Sequence, residues 1–200
     1  MEGRGFEFAR KIVGGVAFDG SKAYDEAKIP EYQTKNSAGA DFFSVGDVEI
    51  PSIWSGIPSA FKVTVSGFQG ILTNCLFDAE VYKNENEMNI LRRLFQPTII
   101  HTGIKAFMEP DEVLELYIRS SSPKKLGLVL ANSVGVIDSD YYNNKDNDGE
   151  ICLAVYNLFP WSVYISPGTR IGQGVFKKFL RPANALVKDV ERSGGYGSTN

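Results

Sequence analysis

The chain has 200 residues, 43% of them hydrophobic and 22% charged, with a net charge of −3. That length and balance suit one globular domain with a core of its own, or one domain carrying a large insertion. With no basic tract and no apolar run of roughly 18 residues, neither general nucleic-acid binding nor a membrane helix is expected. The two cysteines, Cys75 and Cys152, lie far apart in the sequence and in no redox or zinc spacing. No secretory leader pattern is evident, so a reducing, cytoplasmic compartment is expected.

Short β-like runs separated by Gly, Pro, Asn and Asp dominate the chain. In order they are Gly5 to Val13, Phe61 to Val65, Thr98 to Met108 and Val113 to Arg119. Gly127 to Leu130, Glu150 to Tyr156, Ser162 to Ile165 and Gly174 to Phe179 follow. Their lengths and turn signals predict an all-β barrel or double-sheet fold. In the run from Glu112 to Arg119, Leu114, Leu116 and Ile118 fall on one face, and Glu115, Tyr117 and Arg119 on the other.

One segment reads as a helix. From Tyr82 to Phe95, Met88, Leu91 and Phe95 form a ridge that Leu94 extends, and Asn84 with Glu87 makes a capping pattern. This helix is expected to pack on the sheet. Residues 20–37 and 142–149 are polar and turn-rich. Asn143 to Gly149 resembles a calcium loop in composition only, lacking the full spacing and flanking helices, and is expected as a solvated hairpin tip. The single histidine, His101, cannot supply a zinc site or a catalytic triad unaided and is expected to be structural. The last eight residues, Ser193 to Asn200, are too glycine-rich for a strong helix or a central strand.

Five segments, in order, resemble the motifs of the trimeric dUTPase family. They are Ala38-Gly-Ala-Asp-Phe-Phe43; Arg119-Ser-Ser with Lys125-Leu-Gly127; the stretch from Asn132 through Gly135, Ile137 and Asp138 to Tyr141; Gly168-Thr-Arg-Ile-Gly-Gln173; and the glycine-rich tail. Thr102-Gly-Ile104 is similar to the family's strand before the second motif. Ile118 and Ser121 stand where the family has proline and glycine. Residues from about 50 to 97 have no counterpart in short members, and the layout is closest to longer Gram-positive bacterial and phage members.

The resemblance implies a distorted jelly-roll-like β-barrel over residues 1–190 with one helix-containing insertion, and a mobile tail over 191–200 that closes over the site. It implies a homotrimer hydrolysing dUTP to dUMP and pyrophosphate with Mg2+. Asp138 would activate the water that attacks the α-phosphate. Tyr141 would pack on the deoxyribose and exclude a 2′-hydroxyl, while Asn132, Gly135 and Ile137 would read uracil through a hairpin backbone. Arg119, Ser120 and Ser121 would serve the phosphates.

Asp41 and Gln173 would support a hydrated ion through water, with no direct protein ligand to the metal. In the tail, Tyr196 would stack on the base, and Arg192, Gly197, Ser198 and Thr199 would hold the phosphates. Two alternatives carry different expectations. A dCTP deaminase of the same fold would release ammonia, and a phage-type regulatory protein would bind a repressor through the insertion.

Overall fold

The computed structural model describes residues 3–9, 27–56 and 96–186. The expected strand Phe61 to Val65, the expected helix Tyr82 to Phe95 and the whole tail from Ser193 lie outside the described residues. So do Val13 and Cys75.

Twelve strands are described: β1 (Gly5–Phe8), β2 (Glu31–Tyr32), β3 (Ala40–Phe43), β4 (Val48–Ile50), β5 (Thr98–His101), β6 (Ile104–Phe107), β7 (Glu112–Ile118), β8 (Leu128–Leu130), β9 (Gly135–Asp138), β10 (Cys152–Asn157), β11 (Val163–Ile165) and β12 (Arg170–Lys178). One short helix, α1 (Ser122–Leu126), joins β7 to β8. Every ladder among them is antiparallel. The largest sheet has the order β2-β3-β12-β7-β9, and smaller sheets pair β5-β10-β8, β1-β6 and β11-β4. Among the described residues, no helix is long and apolar enough to cross a membrane.

Alternation along β7 buries Leu114 and Leu116, as the sequence predicts, and leaves Glu115 and Tyr117 half-buried on the other face. Those leucines join Phe42, Ile104, Ala106 and Ile151 in one core cluster. A second, separate cluster is built on Ile50, Ile100, Leu128, Leu153 and Ile171. Ile50 is fully buried, and the Trp54 indole donates to the Leu158 carbonyl at 2.9 Å, so the first residues of the expected insertion pack on the body.

The structure departs from the sequence expectation in several places: β12 begins at Arg170, four residues before the expected Gly174, and three further differences have a clear cause. The expected run Thr98 to Met108 breaks into β5 and β6 at Thr102-Gly103. The Thr102 hydroxyl donates to the Ile151 carbonyl at 2.6 Å, and Gly103 adopts φ +65°, which a side chain resists. Gly127 ends α1 in the left-handed region rather than opening β8. Asn143 to Gly149 is not a solvated tip. Asn144 and Asn147 are buried and hydrogen-bonded to each other at 2.6 Å, folding the loop inward beneath Tyr141.

Candidate active site

The central strands of the large sheet bring the first, second and fourth motifs together. Gln173 of β12 lies opposite both Asp41 of β3 and Tyr117 of β7. Cross-strand partners share a face, and so do residues two apart, so Arg119 follows Tyr117 onto the face that carries Asp41. Its Nε stands 3.3 Å from Asp41 Oδ1.

Arg170 reaches the same carboxylate for a different reason. A strictly alternating strand would turn it away from Gln173, three residues on. A bulge between Arg170 and Gly172 pairs Arg170 with Phe43 and leaves Ile171 as the extra, buried residue. Arg170 is thereby re-aimed onto the Asp41 face, and its Nη1 lies 3.4 Å from Asp41 Oδ2. Gln33 accepts a further bond from the same Nη1 at 2.9 Å.

Arg119, Ser121, Ser122, Lys125, Leu126, Gly168, Thr169 and Arg170 line a groove of about 340 Å3. Of the three cations that line it, Arg119 and Arg170 share the buried Asp41 carboxylate and Lys125 adds a third positive charge, an excess suited to a phosphate chain. Ser120 is exposed beside the groove. Ser121 has a right-handed backbone, φ −83°, so its side chain fits without strain where a glycine would be expected. Arg170 and Lys125 are groove residues that were not singled out from the sequence, although both sit inside the motif segments and carry the charge the chemistry needs.

The third motif lies elsewhere. Asn132 is exposed in the turn before β9, and its carbonyl accepts from the Val134 amide at 2.6 Å. Gly135 is buried, and a Cβ there would sit 3.0 Å from Leu116 Cβ, so strand packing alone already demands a small residue. The Ile137 side chain packs against the Leu114–Leu116 cluster. Among the described residues β9 is paired on one side only, by β7. Its outer backbone edge is not taken by another strand.

Asp138 ends β9 and is exposed. Tyr141 follows in a single 3-10 turn, Ser139–Tyr141. Its ring is buried, and its hydroxyl donates to the Glu150 carbonyl at 3.0 Å while accepting from Asn147 Nδ2 at 2.7 Å. The phenol is therefore clamped by the loop that the sequence alone would place in solvent.

Register separates the two groups. Asp138 lies opposite Val113, at the start of β7, whereas Arg119 follows its far end. Six residues of extended chain put the two Cα atoms about 20 Å apart, on one face of the sheet. The remaining expected site residues, Arg192, Tyr196, Gly197, Ser198 and Thr199, lie outside the described residues.

No protein-family model matches the chain. Over 102 residues it is 51% identical to a deoxyuridine 5′-triphosphate nucleotidohydrolase of Lactococcus lactis, covering 50% of this chain and 68% of that protein. It is 35% identical over 127 residues to the same enzyme of a Thermoanaerobacter species, covering 60% of this chain and 79% of the relative. Among solved structures, dUTPase from Streptococcus mutans matches with a TM-score of 0.58 at 32% identity, covering 89% of this chain and 98% of that one. A dUTPase of Staphylococcus bacteriophage 80alpha, solved with dUpNHpp, matches with a TM-score of 0.55 at 16% identity, covering 100% and 96%, a likeness of fold alone.

Proposed function

The chain belongs to the dUTPase family, and on that premise we propose that it hydrolyses dUTP to dUMP and pyrophosphate in sites shared between copies of the chain. The observation that carries the shared site is the register of β7. Arg119 and Asp138 stand about 20 Å apart in one chain, too far for both to act at one α-phosphate. Neighbouring copies in a homotrimer would bring the groove of one chain against β9 of the next.

In that assembly the phosphate chain lies in the groove. Arg119 and Arg170, held by Asp41, offer guanidinium donors, with Lys125, Ser120 and Ser121 beside them. The turn at Asn132 and the outer edge of β9 through Gly135 and Ile137 read uracil by backbone hydrogen bonds, which cytosine's amino group would mismatch. Tyr141 presents its ring to the deoxyribose. With its hydroxyl already committed to Glu150 and Asn147, it has no partner to give a 2′-hydroxyl. Asp138 orients a water on the α-phosphate and takes its proton. The tail residues Arg192, Tyr196, Gly197, Ser198 and Thr199 close over the nucleotide and expel water.

The groove fits a magnesium ion that arrives with the triphosphate. Both Asp41 oxygens face guanidinium groups, and every charged residue of the groove lining is a cation, so a bare dication has no ready cage there. Phosphate and water oxygens are the hard donors this ion prefers, and Asp41 and Gln173 would reach it only through water. When bound, the ion neutralises charge on the phosphates.

The test is pyrophosphate release from dUTP, dCTP, dTTP and UTP, with and without magnesium, for the parent and Asp138→Asn. Magnesium-dependent release from dUTP alone is expected. Asp138→Asn should lower it by about 10²–10⁴-fold with little change in dUTP affinity. No release from dUTP by folded, trimeric parent protein would overturn the reading, and ammonia release from dCTP would move the chain to the deaminase branch of the fold.

A further inference from the structure

Away from the groove, β5 and β10 bring three chemically different donors to one point. His101 and Cys152 are direct partners across the antiparallel ladder, and Glu150 lies two residues before Cys152. The sheet's two-residue period turns all three side chains to the same side. His101 Nδ1 stands 3.1 Å from Glu150 Oε2 and 3.4 Å from Cys152 Sγ. The three donor atoms all lie within 4.8 Å of one another.

Tetrahedral zinc, with bonds of about 2.0–2.3 Å to nitrogen, oxygen and sulfur, sets neighbouring donors about 3.4–3.6 Å apart. The two close pairs approach that spacing already. The Glu150 side chain is fully buried, and its other oxygen accepts the Gly103 amide at 3.0 Å, an outer bond that fixes the carboxylate's direction. Its ion-pair partner among the described residues is His101, whose charge depends on a proton. A dication would supply the positive charge that this buried carboxylate otherwise draws from an imidazole. The His101 side chain is 29% exposed and marks the way in from solvent.

We propose that His101, Glu150 and Cys152 bind one borderline-soft divalent transition ion of the zinc or cobalt(II) class, with a water completing a tetrahedron. The site is distinct from the phosphate groove in both place and preference. Thiolate and imidazole select softer ions, whereas magnesium prefers oxygen alone. Burial and the Glu150 charge push the Cys152 thiol up, so the metal-free sulfur carries a proton that leaves as the ion binds. The proposal does not depend on the catalytic reading, because its readout is the ion itself.

The experiment titrates cobalt(II) into the full-length protein in a Cys75→Ser background, with a phosphine reductant and no nucleotide. One ion per chain and a thiolate-to-cobalt charge-transfer band are expected, both persisting in excess magnesium. Cys152→Ser should remove the band, and His101→Gln should weaken binding at least about tenfold. Circular dichroism of the metal-free variants establishes that each is folded. X-ray absorption of the zinc-loaded Cys75→Ser protein reads the ligands directly and requires no change at the site; one sulfur among nitrogen and oxygen donors is expected. A shell without sulfur, no charge-transfer band, or a band that survives Cys152→Ser in folded protein would overturn the proposal and leave His101–Glu150 as an ion pair only.

Discussion

Asn147 shows how much one buried amide can organise. Its Nδ2 donates to the Tyr141 hydroxyl and to the Glu150 carbonyl, while its Oδ1 accepts from Asn144 and from the Gly149 amide. On the role proposed for Tyr141, Asn147 is a positioning residue for sugar discrimination. Asn147→Ala should cost about 1–3 kcal/mol of stability through the polar groups left unpaired. It should also raise kcat/KM for UTP relative to dUTP. Stability follows from thermal unfolding, and the rate ratio separates the two roles: a destabilised variant with unchanged UTP discrimination would make Asn147 structural alone. Composition assigns Asn143 to Gly149 to solvent because Asn and Asp favour exposed turns. The loop turns inward because its amides satisfy one another and the Tyr141 phenol.

At the scale of elements, strand periodicity was the most legible feature. Alternation in β7 identified its buried leucines and put Arg119 on the polar face, because a two-residue period is a local property of extended chain. The break between β5 and β6 was not legible, since it depends on the Thr102 hydroxyl meeting the carbonyl of Ile151, far along the chain. A similar long-range tie secures the start of β7. The Glu112 carboxylate, 3% exposed, takes the Arg4 guanidinium from the residue preceding β1 and also accepts the Glu109 amide.

The hydrogen bond from Arg4 is the main cause that holds the Glu112 carboxyl below its ordinary value. A lowered folded pKa contributes stability that is present above the unfolded pKa and lost as pH falls through the folded one. The Tm difference between the parent and Glu112→Gln should therefore be steady near neutrality. It should shrink as pH drops below about 4.3, the usual glutamate value. Melts across an acid series check this, and a difference that stays constant down to the lowest pH at which the protein folds would refute the tie.

For the whole molecule, the register of β7 against β9 sets the test of assembly. Arg119→Ala and Asp138→Asn proteins should each be nearly inactive alone. Unfolding them together and refolding should rebuild some sites with an intact groove from one chain and an intact Asp138 from the next. Random mixing into a cyclic trimer predicts recovery of about a quarter of parental activity. Pyrophosphate release before and after mixing measures it. No recovery from mixed trimers of confirmed composition would place Arg119 and Asp138 in one chain's site.

Sequence by itself determined the β character of this protein, the face each β7 residue takes and the family its motifs belong to. These are written in side-chain type, local period and order along the chain, none of which requires knowing what pairs with what. Tertiary structure alone decided the rest. The bulge at Ile171 turns Arg170 into the groove, β5 meets β10 so that His101, Glu150 and Cys152 converge, and the pairing of β9 on β7 sets Asp138 opposite the start of β7, far from Arg119 beyond its end. Each depends on strand register between residues far apart in the chain, where a shift of one position sends every side chain to the other face.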